Sequence, residues 1–409
     1  MRVLYDLGIM LYYVGAWFAS FFSEKAKKFV EGRKGVFELL QKNFGADDSC
    51  LWVHAASLGE FEQGRPIIEK VRQMRPDLKI LVTFFSPSGY EVRKNYDGAD
   101  LVCYLPMDTS WNARKFLSVV HPSYAVFIKY EFWMNYLSFL KEEKIPTYIV
   151  SAIFRKDQAF FKWYGGWYRD ILKNFTHLFV QNSTSVELLQ SVGVTNVSLV
   201  GDTRFDRVAD IAERAKPLPI VEAFVGDAPV FVAGSSWPKD EDIIIPYINA
   251  HPEIKFIIAP HEIHEEHLGR IIGQLERSYV RYTQADETSA ANADCLIIDC
   301  FGLLSSIYRY GKVAYVGGGF GVGIHNILEA AVYGIPVIFG PNYGKFMEAV
   351  EMVSRGGAYS IQGTEDFNRL MNDLYQSGSD LYAKSAEVAS LYSKENRGAT
   401  EKVLRGIFG

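Results

Sequence analysis

Short apolar runs, each followed by an amphipathic stretch, recur along most of this chain and constrain its fold more than any other feature. A first series covers residues 50–54, 79–84, 101–105, 124–128, 147–150 and 177–180. A second series covers residues 230–233, 256–259, 295–298, 313–316 and 336–339. Apolar runs that alternate with helical patterns are typical of parallel strands covered by helices on both faces. The sequence therefore predicts two α/β domains, each with a doubly wound sheet.

The length of the chain supports this division, because 409 residues exceed what one ordinary hydrophobic core contains. Residues 201–227 carry Pro217, Pro219 and Gly226 around a polar helix, a composition typical of a connection between domains. We predict a first domain over residues 36–210 and a second over 211–390, facing a central cleft. A terminal helix over 391–409 would cross back to the first domain.

Charge and cysteine content exclude several classes of protein. The net charge is −5, from 43 Lys plus Arg against 48 Asp plus Glu, so no global basic field indicates nucleic-acid binding. The four cysteines have neither CxxC spacing nor a disulfide-framework pattern: Cys50, Cys103, Cys295 and Cys300. They predict a reducing cytosol and buried, unpaired thiols.

The N-terminal segment, residues 1–35, predicts a contact with lipid. Residues 7–22 are uncharged and rich in aromatic rings, but 16 helical residues reach only about 24 Å against a hydrocarbon core of about 30 Å. A membrane span and an interfacial anchor therefore stay open, and a cleaved signal peptide or a buried first helix are the rivals. Five basic residues follow, as expected beside anionic lipid on the cytoplasmic side: Lys25, Lys27, Lys28, Arg33 and Lys34.

Two acidic residues follow strands of the first domain, where ligands bind in parallel sheets. Glu60 ends the run HAASLGE after the first strand, and it is a candidate general base. The alternative is a carboxylate that serves the dipole at a helix N-terminus. Glu131 follows the strand at 124–128 and is a weak signal by itself.

The second domain carries candidate groups for a nucleotide. Residues 317–329 run from a strand through glycines into a predicted helix, whose N-terminus would suit a phosphate. Glu329 could accept hydrogen bonds from ribose hydroxyls, and Ser235 and Ser236 are candidates for contacting phosphate oxygens. The histidines of 261–267 do not form an HExxH motif, so we predict a helix start there and no metal site.

An ordered set of motifs spans almost the whole chain: HAASLGE at 54–60, TFFSPSGYE at 83–91, YLPMD at 104–108, YEFWMN at 130–135, GDTRFD at 201–206, AGSS at 233–236, HNILEAA at 325–331 and GIPVIFGPN at 334–342. With the N-terminal apolar segment, this set resembles the Kdo transferases of Gram-negative lipopolysaccharide synthesis. The resemblance implies a GT-B fold and an inverting transfer of Kdo from CMP-Kdo to a lipid A precursor. It also implies no cofactor, and a place on the cytoplasmic face of the inner membrane.

The resemblance also implies roles for individual residues. Glu60 corresponds to the catalytic base, and Glu131 and Arg204 to groups that stabilise the transition state. The implied CMP contacts are Pro260, His261, Phe301, Gly302, Leu303, Asn326, Ile327, Leu328 and Glu329. The chain departs from the family pattern where His261 replaces an Arg and Arg204 a Lys, and also at residues 129–135 and 151–155.

Two other functions remain open on the sequence. One is a transferase for another nucleotide sugar, or an epimerase, on the same two-domain scaffold. The other is an inactive scaffold protein at the membrane.

Overall fold

The computed structural model describes residues 2–45 and 48–409, and the chain divides into two compact units. The N-terminal unit extends to Arg207 and includes Gly398–Gly409, and the C-terminal unit is Val208–Arg397. The sequence analysis places the corresponding limits after residues 210 and 390. Met1, Ala46 and Asp47, which belong to the predicted N-terminal segment and first domain, lie outside the described residues.

The N-terminal unit alternates strands and helices from residue 50 onward. Its strands are β1 (Cys50–Ala55), β2 (Lys79–Phe84), β3 (Leu101–Tyr104), β4 (Pro122–Ile128), β5 (Thr147–Ala152), β6 (His177–Val180) and β7 (Val197–Leu199). Its helices are α1 (Arg2–Ala19), α2 (Glu24–Glu31), α3 (Val36–Asn43), α4 (Leu58–Met74), α5 (Pro87–Arg93), α6 (Ser110–Val120), α7 (Met134–Glu142), α8 (Gly166–Leu172), α9 (Ser183–Ser191) and the start of α10 (Thr203–Arg214), with a 3₁₀ turn at Ala159–Phe161.

The seven strands of this unit form one parallel sheet in the order β3-β2-β1-β4-β5-β6-β7. All residues of β1 and β5 are buried, because helices cover both faces of the sheet. The strand order reverses between β1 and β4. In such sheets the carboxyl ends of the two strands at the reversal flank the ligand crevice, so loops after β1 and β4 are the place for a site.

The C-terminal unit repeats this architecture. Its strands are β8 (Val230–Ser236), β9 (Lys255–Pro260), β10 (Tyr279–Arg281), β11 (Cys295–Ile297), β12 (Val313–Val316), β13 (Val337–Phe339) and β14 (Ala358–Ser360). They form a parallel sheet in the order β10-β11-β9-β8-β12-β13-β14. The helices are α11 (Pro219–Val225), α12 (Pro238–Ala250), α13 (Glu265–Gln274), α14 (Glu287–Ala291), α15 (Leu304–Ile307), α16 (Leu328–Ala331), α17 (Met347–Arg355), α18 (Thr364–Tyr375) and α19 (Asp380–Glu395), with 3₁₀ turns at Tyr282–Gln284 and Tyr308–Tyr310.

The two-domain α/β prediction is confirmed, with three strands that the sequence analysis missed. These are β7, β10 and β14, each of three residues at an edge of its sheet. Their residues are only partly covered, so no continuous apolar run marks them. The cysteine prediction holds for Cys50, Cys103 and Cys295, but Cys300 is only partly buried.

The terminal helical stretch consists of two helices, α19 and α20 (Ala399–Phe408). Gly398 separates them with a left-handed φ of 96°, which glycine adopts without a side-chain clash. Asp206 accepts hydrogen bonds from the backbone N–H groups of Gly398 and Thr400, both at 2.6 Å. Val403 and Ile407 of α20 then belong to the core of the N-terminal unit.

Helix α1 docks on the N-terminal unit by one face only. Tyr5, Ile9, Tyr13 and Ala16 share that face, and Tyr5 donates a hydrogen bond to buried Asp108 at 2.7 Å. The other face is apolar and open, since Leu4, Leu11 and Phe18 are 72%, 72% and 58% exposed. Among the described residues, none of the helices is both long enough and apolar enough to cross a membrane.

The basic segment after α1 does not face solvent as a whole. Lys25, Lys27, Lys28 and Lys34 are exposed, but Arg33 turns inward, which corrects the sequence analysis. Its guanidinium donates to the carbonyl oxygens of Leu105, Phe29 and Phe85 at 2.7–3.0 Å. Burial lowers the Arg33 pKa to about 10. Arg33 therefore joins α2 to the ends of β2 and β3.

Candidate functional site

The turn between β1 and α4 places Glu60 at the carboxyl edge of the first sheet. β1 ends at Ala55 and α4 begins at Leu58, so Glu60 lies in the first turn of the helix. Ser57 precedes the helix with an extended backbone, and its hydroxyl donates to the Glu60 carboxylate instead of capping the helix. Glu60 is partly exposed. The arrangement holds an accessible carboxylate in one orientation, which a general base requires.

Tyr130, which interacts with Glu60, and Arg155, which interacts with Tyr130, are not among the site residues that the sequence predicts. The pKa of the Tyr130 phenol is raised, mainly by burial. Arg155, which hydrogen bonds to the phenol, acts in the opposite direction, and the negative charge of Glu60 adds to the rise. Tyr130 and Arg155 come shortly after β4 and β5, so their position after a strand was the available signal. Tyr130 adds a hydroxyl near the Glu60 carboxylate, and Arg155 adds a cation beside that hydroxyl.

Glu131 lies in a buried network and is only 9% exposed. Its Oε2 atom accepts a hydrogen bond from Trp133 Nε1 at 2.7 Å and lies 3.0 Å from His54 Nε2. His54 Nδ1 is in turn 2.8 Å from the Thr83 hydroxyl. Glu131 Oε2, the two ring nitrogens of His54 and the Thr83 hydroxyl thus form one continuous series of hydrogen-bond contacts. Glu131 is thereby fixed in the loop that follows β4.

Arg204 is the second residue of α10 and is held by its neighbours. Its Nη2 and Nε atoms lie 2.7 and 2.9 Å from Asp202 Oδ2. When the Gln63 amide is oriented so that its oxygen faces the neighbouring donors, this oxygen accepts from Arg204 Nε and from Lys129 Nζ, each at 3.3 Å. Lys129 is therefore a second cation beside Arg204, at the same edge of the sheet. Sequence analysis noted residue 129 only as a departure from the family pattern.

In the C-terminal unit, the two predicted phosphate-loop serines differ. Ser236 is fully buried at the end of β8, and its hydroxyl donates to Glu241 at 2.9 Å. Glu241 also contacts His267 and Arg270 at 2.9 and 3.0 Å. The Ser236 hydroxyl is therefore used inside the fold, which corrects its assignment to a phosphate. Ser235 is partly exposed, with a left-handed φ of 52°.

A stack of three aromatic rings lies at the ends of β8, β9 and β12. His261 stacks on Trp237 and on His325, with ring centroids 4.6 and 4.4 Å apart. Trp237 Nε1 donates to His325 Nε2 at 3.1 Å. Burial lowers the pKa of His261. Burial, together with charge repulsion from the nearby His261, lowers the pKa of His325 to about 4. Both rings are neutral at pH 7, so His261 offers a stacking surface where the family has a permanent cation.

The glycine-rich loop after β12 lies against backbone of neighbouring loops. A Cβ atom on Gly317 would be 2.1 Å from the Ser235 carbonyl oxygen, so only glycine fits there. The helix that follows, α16, has four residues, which corrects the prediction of a phosphate site at a helix N-terminus. One turn aligns too few peptide dipoles to attract an anion strongly. Any phosphate contact would come from the loop itself.

Glu329 stands in this loop region with an oriented carboxylate. Its oxygens accept from Ser305 Oγ at 2.5 Å and from Asn326 Nδ2 at 3.2 Å, and it is partly exposed. Phe301, 76% exposed, and Gly302 with φ 92° lie just before the helix that carries Ser305. The structure thus brings 301–303 and 326–329 into one region.

Three of the residues predicted to contact the nucleotide have buried side chains, which a ligand cannot reach. Ile327 and Leu328 are 0% and 1% exposed, and Pro260 is buried at the end of β9. Apolar residues at these positions fill the core beneath the loops. Their backbone alone is available to a ligand.

One group of possible metal ligands occurs within residues 2–45 and 48–409. It consists of Glu262, His264 and His267, whose ligand atoms lie within 4.8 Å of one another. Both ring nitrogens of His267 already have partners, Nδ1 the Glu262 carbonyl oxygen at 2.8 Å and Nε2 the Glu241 carboxylate. A metal would have to break buried hydrogen bonds. As predicted, α13 begins here, with His264 as its N-terminal cap.

Comparison with known proteins finds similarity to one family. Residues 30–207 match the family model described as 3-Deoxy-D-manno-octulosonic-acid transferase (kdotransferase). A 3-deoxy-D-manno-octulosonic acid transferase of Aquifex aeolicus (strain VF5) is 27% identical over 386 residues, 91% of this chain and 99% of the relative. One of Rickettsia prowazekii (strain Madrid E) is 25% identical over 363 residues, 85% and 77% of the two chains. The family model thus covers most of the N-terminal unit of this chain, and these relatives, which carry the same family name, align over most of its length. The chain is a glycosyltransferase.

Solved structures with the same fold come from both transferases and epimerases. UDP-GlcNAc 2-epimerase from Neisseria meningitidis bound to UDP-GlcNAc has a TM-score of 0.63 at 16% identity, covering 88% of this chain and 99% of that one. A glycosyltransferase from Rickettsia africae ESF-5 has a TM-score of 0.56 at 12% identity, covering 88% and 97%. At these identities the likeness concerns the fold, which is the two-sheet α/β architecture of GT-B glycosyltransferases.

Proposed function

We propose that this enzyme transfers Kdo from CMP-Kdo to a lipid A precursor, with inversion at the anomeric carbon. The observation that carries the proposal is the oriented, accessible Glu60 carboxylate at the strand reversal of the unit that matches the Kdo transferase family. Relatives across several species carry the same name, which supports the choice of sugar.

In this proposal the reaction is a single displacement. Glu60 accepts the proton of an acceptor hydroxyl as that oxygen forms a bond to the anomeric carbon. The bond from this carbon to the phosphate oxygen of CMP breaks on the opposite face, and CMP leaves with the electron pair. Arg204 supplies positive potential for the developing negative charge. The proposed mechanism uses no metal and no other cofactor.

The nucleotide is assigned to the C-terminal unit. Glu329, held by Ser305 and Asn326, would accept hydrogen bonds from the ribose hydroxyls. The exposed ring of Phe301 and the Trp237–His261 stack offer flat surfaces to the base or the sugar. Four of these residues are among the CMP contacts that the family resemblance implies: His261, Phe301, Asn326 and Glu329.

The acceptor is proposed to stay in the bilayer while the enzyme binds the cytoplasmic face of the inner membrane. The open apolar face of α1 and the exposed lysines 25, 27, 28 and 34 support this placement. Apolar side chains would enter the headgroup boundary, and the lysines would contact anionic lipid. Binding would be interfacial.

The test is turnover of purified protein with CMP-Kdo and a lipid A precursor in mixed micelles, scored by CMP release and by the mass of the glycolipid. We expect one CMP to be released for each Kdo that the glycolipid gains. UDP-GlcNAc serves as the competing substrate, because the fold is shared with 2-epimerases. Epimerisation of UDP-GlcNAc without Kdo transfer would replace the proposal, and no reaction with either donor would favour an inactive scaffold.

A further inference from the structure

Two neighbouring strands of the first sheet end in a backbone conformation that their residues seldom adopt. Lys129 follows β4 with φ 65°, and Ser151 lies in β5 with φ 58°. β4 and β5 are paired, so the two positions lie at the same edge of the sheet. Left-handed φ is common for residues that end helices, but strained for a lysine after a buried strand. Such strain persists chiefly at functional sites, where surrounding contacts enforce it.

The contacts at this edge direct Lys129 toward Arg204. Gln63 is 1% exposed, and in the amide orientation that satisfies its neighbours its side-chain oxygen accepts from Lys129 Nζ and Arg204 Nε at 3.3 Å each. The two cationic nitrogens are therefore separated by at most twice that distance. Thr203, beside Arg204, donates to the Gln63 backbone carbonyl at 2.6 Å, and its hydroxyl lies 3.1 Å from the Ser151 hydroxyl. Both strained strand ends thus connect to the start of α10.

Helix stability does not explain this arrangement. Arg204 is the second residue of α10, where a cation meets the positive end of the helix dipole. Two cations near each other also repel. The side chains of Lys129 and Arg204 are both partly exposed, so an anion from solvent can reach them.

Glu60 lies one turn before Gln63 on α4, and residues three apart on a helix share a face. The cations therefore lie beside the proposed base. We propose that Lys129 and Arg204 together bind one anionic group, a phosphate or a carboxylate, of a substrate that reacts at Glu60. This inference rests on the proposed function for the identity of the substrates. It adds Lys129 as a substrate-binding residue.

The chain offers a matched control. Lys144 is also a lysine with left-handed φ, 58°, but it lies exposed in the turn between α7 and β5. We would compare Lys129→Met with Lys144→Met by steady-state kinetics and thermal melts. Lys129→Met should raise the KM of one substrate at least tenfold, whereas Lys144→Met should stay within twofold of wild type. Lys129→Gly, which also relieves the backbone strain, should lose the same affinity with a Tm at or above that of wild type.

The substrate whose KM rises identifies the source of the anionic group. A rise for the acceptor that disappears with an acceptor lacking one phosphate would assign that phosphate. A rise for CMP-Kdo would assign a donor group. If Lys129→Met and Lys129→Gly both match Lys144→Met in the two KM values, the inference is wrong, and Lys129 serves the fold.

A second readout does not depend on turnover. Inorganic phosphate should raise the Tm of the wild type and of Lys144→Met more than that of Lys129→Met and Lys129→Gly. If the wild type fails to use CMP-Kdo but this difference is present, the proposed function is wrong and the anion site stands. An equal response of all four proteins to phosphate would overturn the anion site.

Discussion

Replacement of Glu60 by Gln tests the proposed mechanism most directly. Gln keeps the size of the side chain and can still accept the hydrogen bond from Ser57, but it cannot take a proton from a hydroxyl. Loss of a positioned general base typically lowers turnover about 10²- to 10⁴-fold, which is about 3 to 5 kcal/mol of barrier. We expect kcat to fall by that amount, with nucleotide affinity unchanged.

The stability cost of the same change should be small. Glu60 is partly exposed and lies in the first turn of α4, where a carboxylate contributes about 0.3 to 1 kcal/mol through the helix dipole. Glu365 is an exposed acid in the first turn of α18 and provides the matched control. Glu365→Gln should lose a similar amount of unfolding free energy and keep full turnover.

The assay is kcat with saturating CMP-Kdo and acceptor, measured for both variants beside chemical denaturation. If Glu60→Gln keeps kcat within about threefold of wild type, which is under 1 kcal/mol of barrier, Glu60 serves only the helix. Glu131 would then be the next candidate for the base.

Three further predictions follow from the site and from α1. Glu329→Ala should weaken CMP binding by about 1 to 3 kcal/mol with an unchanged melt, and equal affinity by calorimetry would contradict the ribose contact. Because the pKa of His325 is lowered to about 4 in the folded protein, the unfolded protein binds more protons, and unfolding free energy should fall as pH drops from about 6.5 to about 4. His325→Gln, which can still accept from Trp237, should show a smaller fall in pH-dependent denaturation, and an identical pH profile would be inconsistent with a neutral, buried imidazole. Replacement of the outward residues Leu4, Leu11 and Phe18 of α1 by serine should abolish cosedimentation with anionic vesicles and leave Tm within about 2 °C of wild type. Retained binding would show that another surface contacts the membrane.

The sequence by itself determined the two parallel sheets, because strands buried on both faces must be continuously apolar. It also placed Glu60, since a loop directly after the first strand must lie at the carboxyl edge of its sheet. For the same reason it located Glu329 and residues 301–303 near the ends of strands in the second unit. These inferences depend only on local pattern and on the order of elements.

Other properties depend on contacts between residues that are distant in the chain. Nothing in the segment 24–34 distinguishes Arg33 from its lysine neighbours, yet three carbonyl oxygens from α2 and two strand ends turn it inward. Ser236 likewise resembles a phosphate ligand until Glu241 is seen beneath it.

Only the tertiary structure also decided how the charges at the site are grouped. Lys129 and Arg204 are 75 residues apart in the sequence. They come together because the end of β4 and the beginning of α10 both lie beside Gln63 of α4. His261 and His325 stack for the same kind of reason, and their mutual burial keeps both rings neutral. Local pattern specifies which elements form, but desolvation and charge proximity arise only where the packed elements bring side chains together.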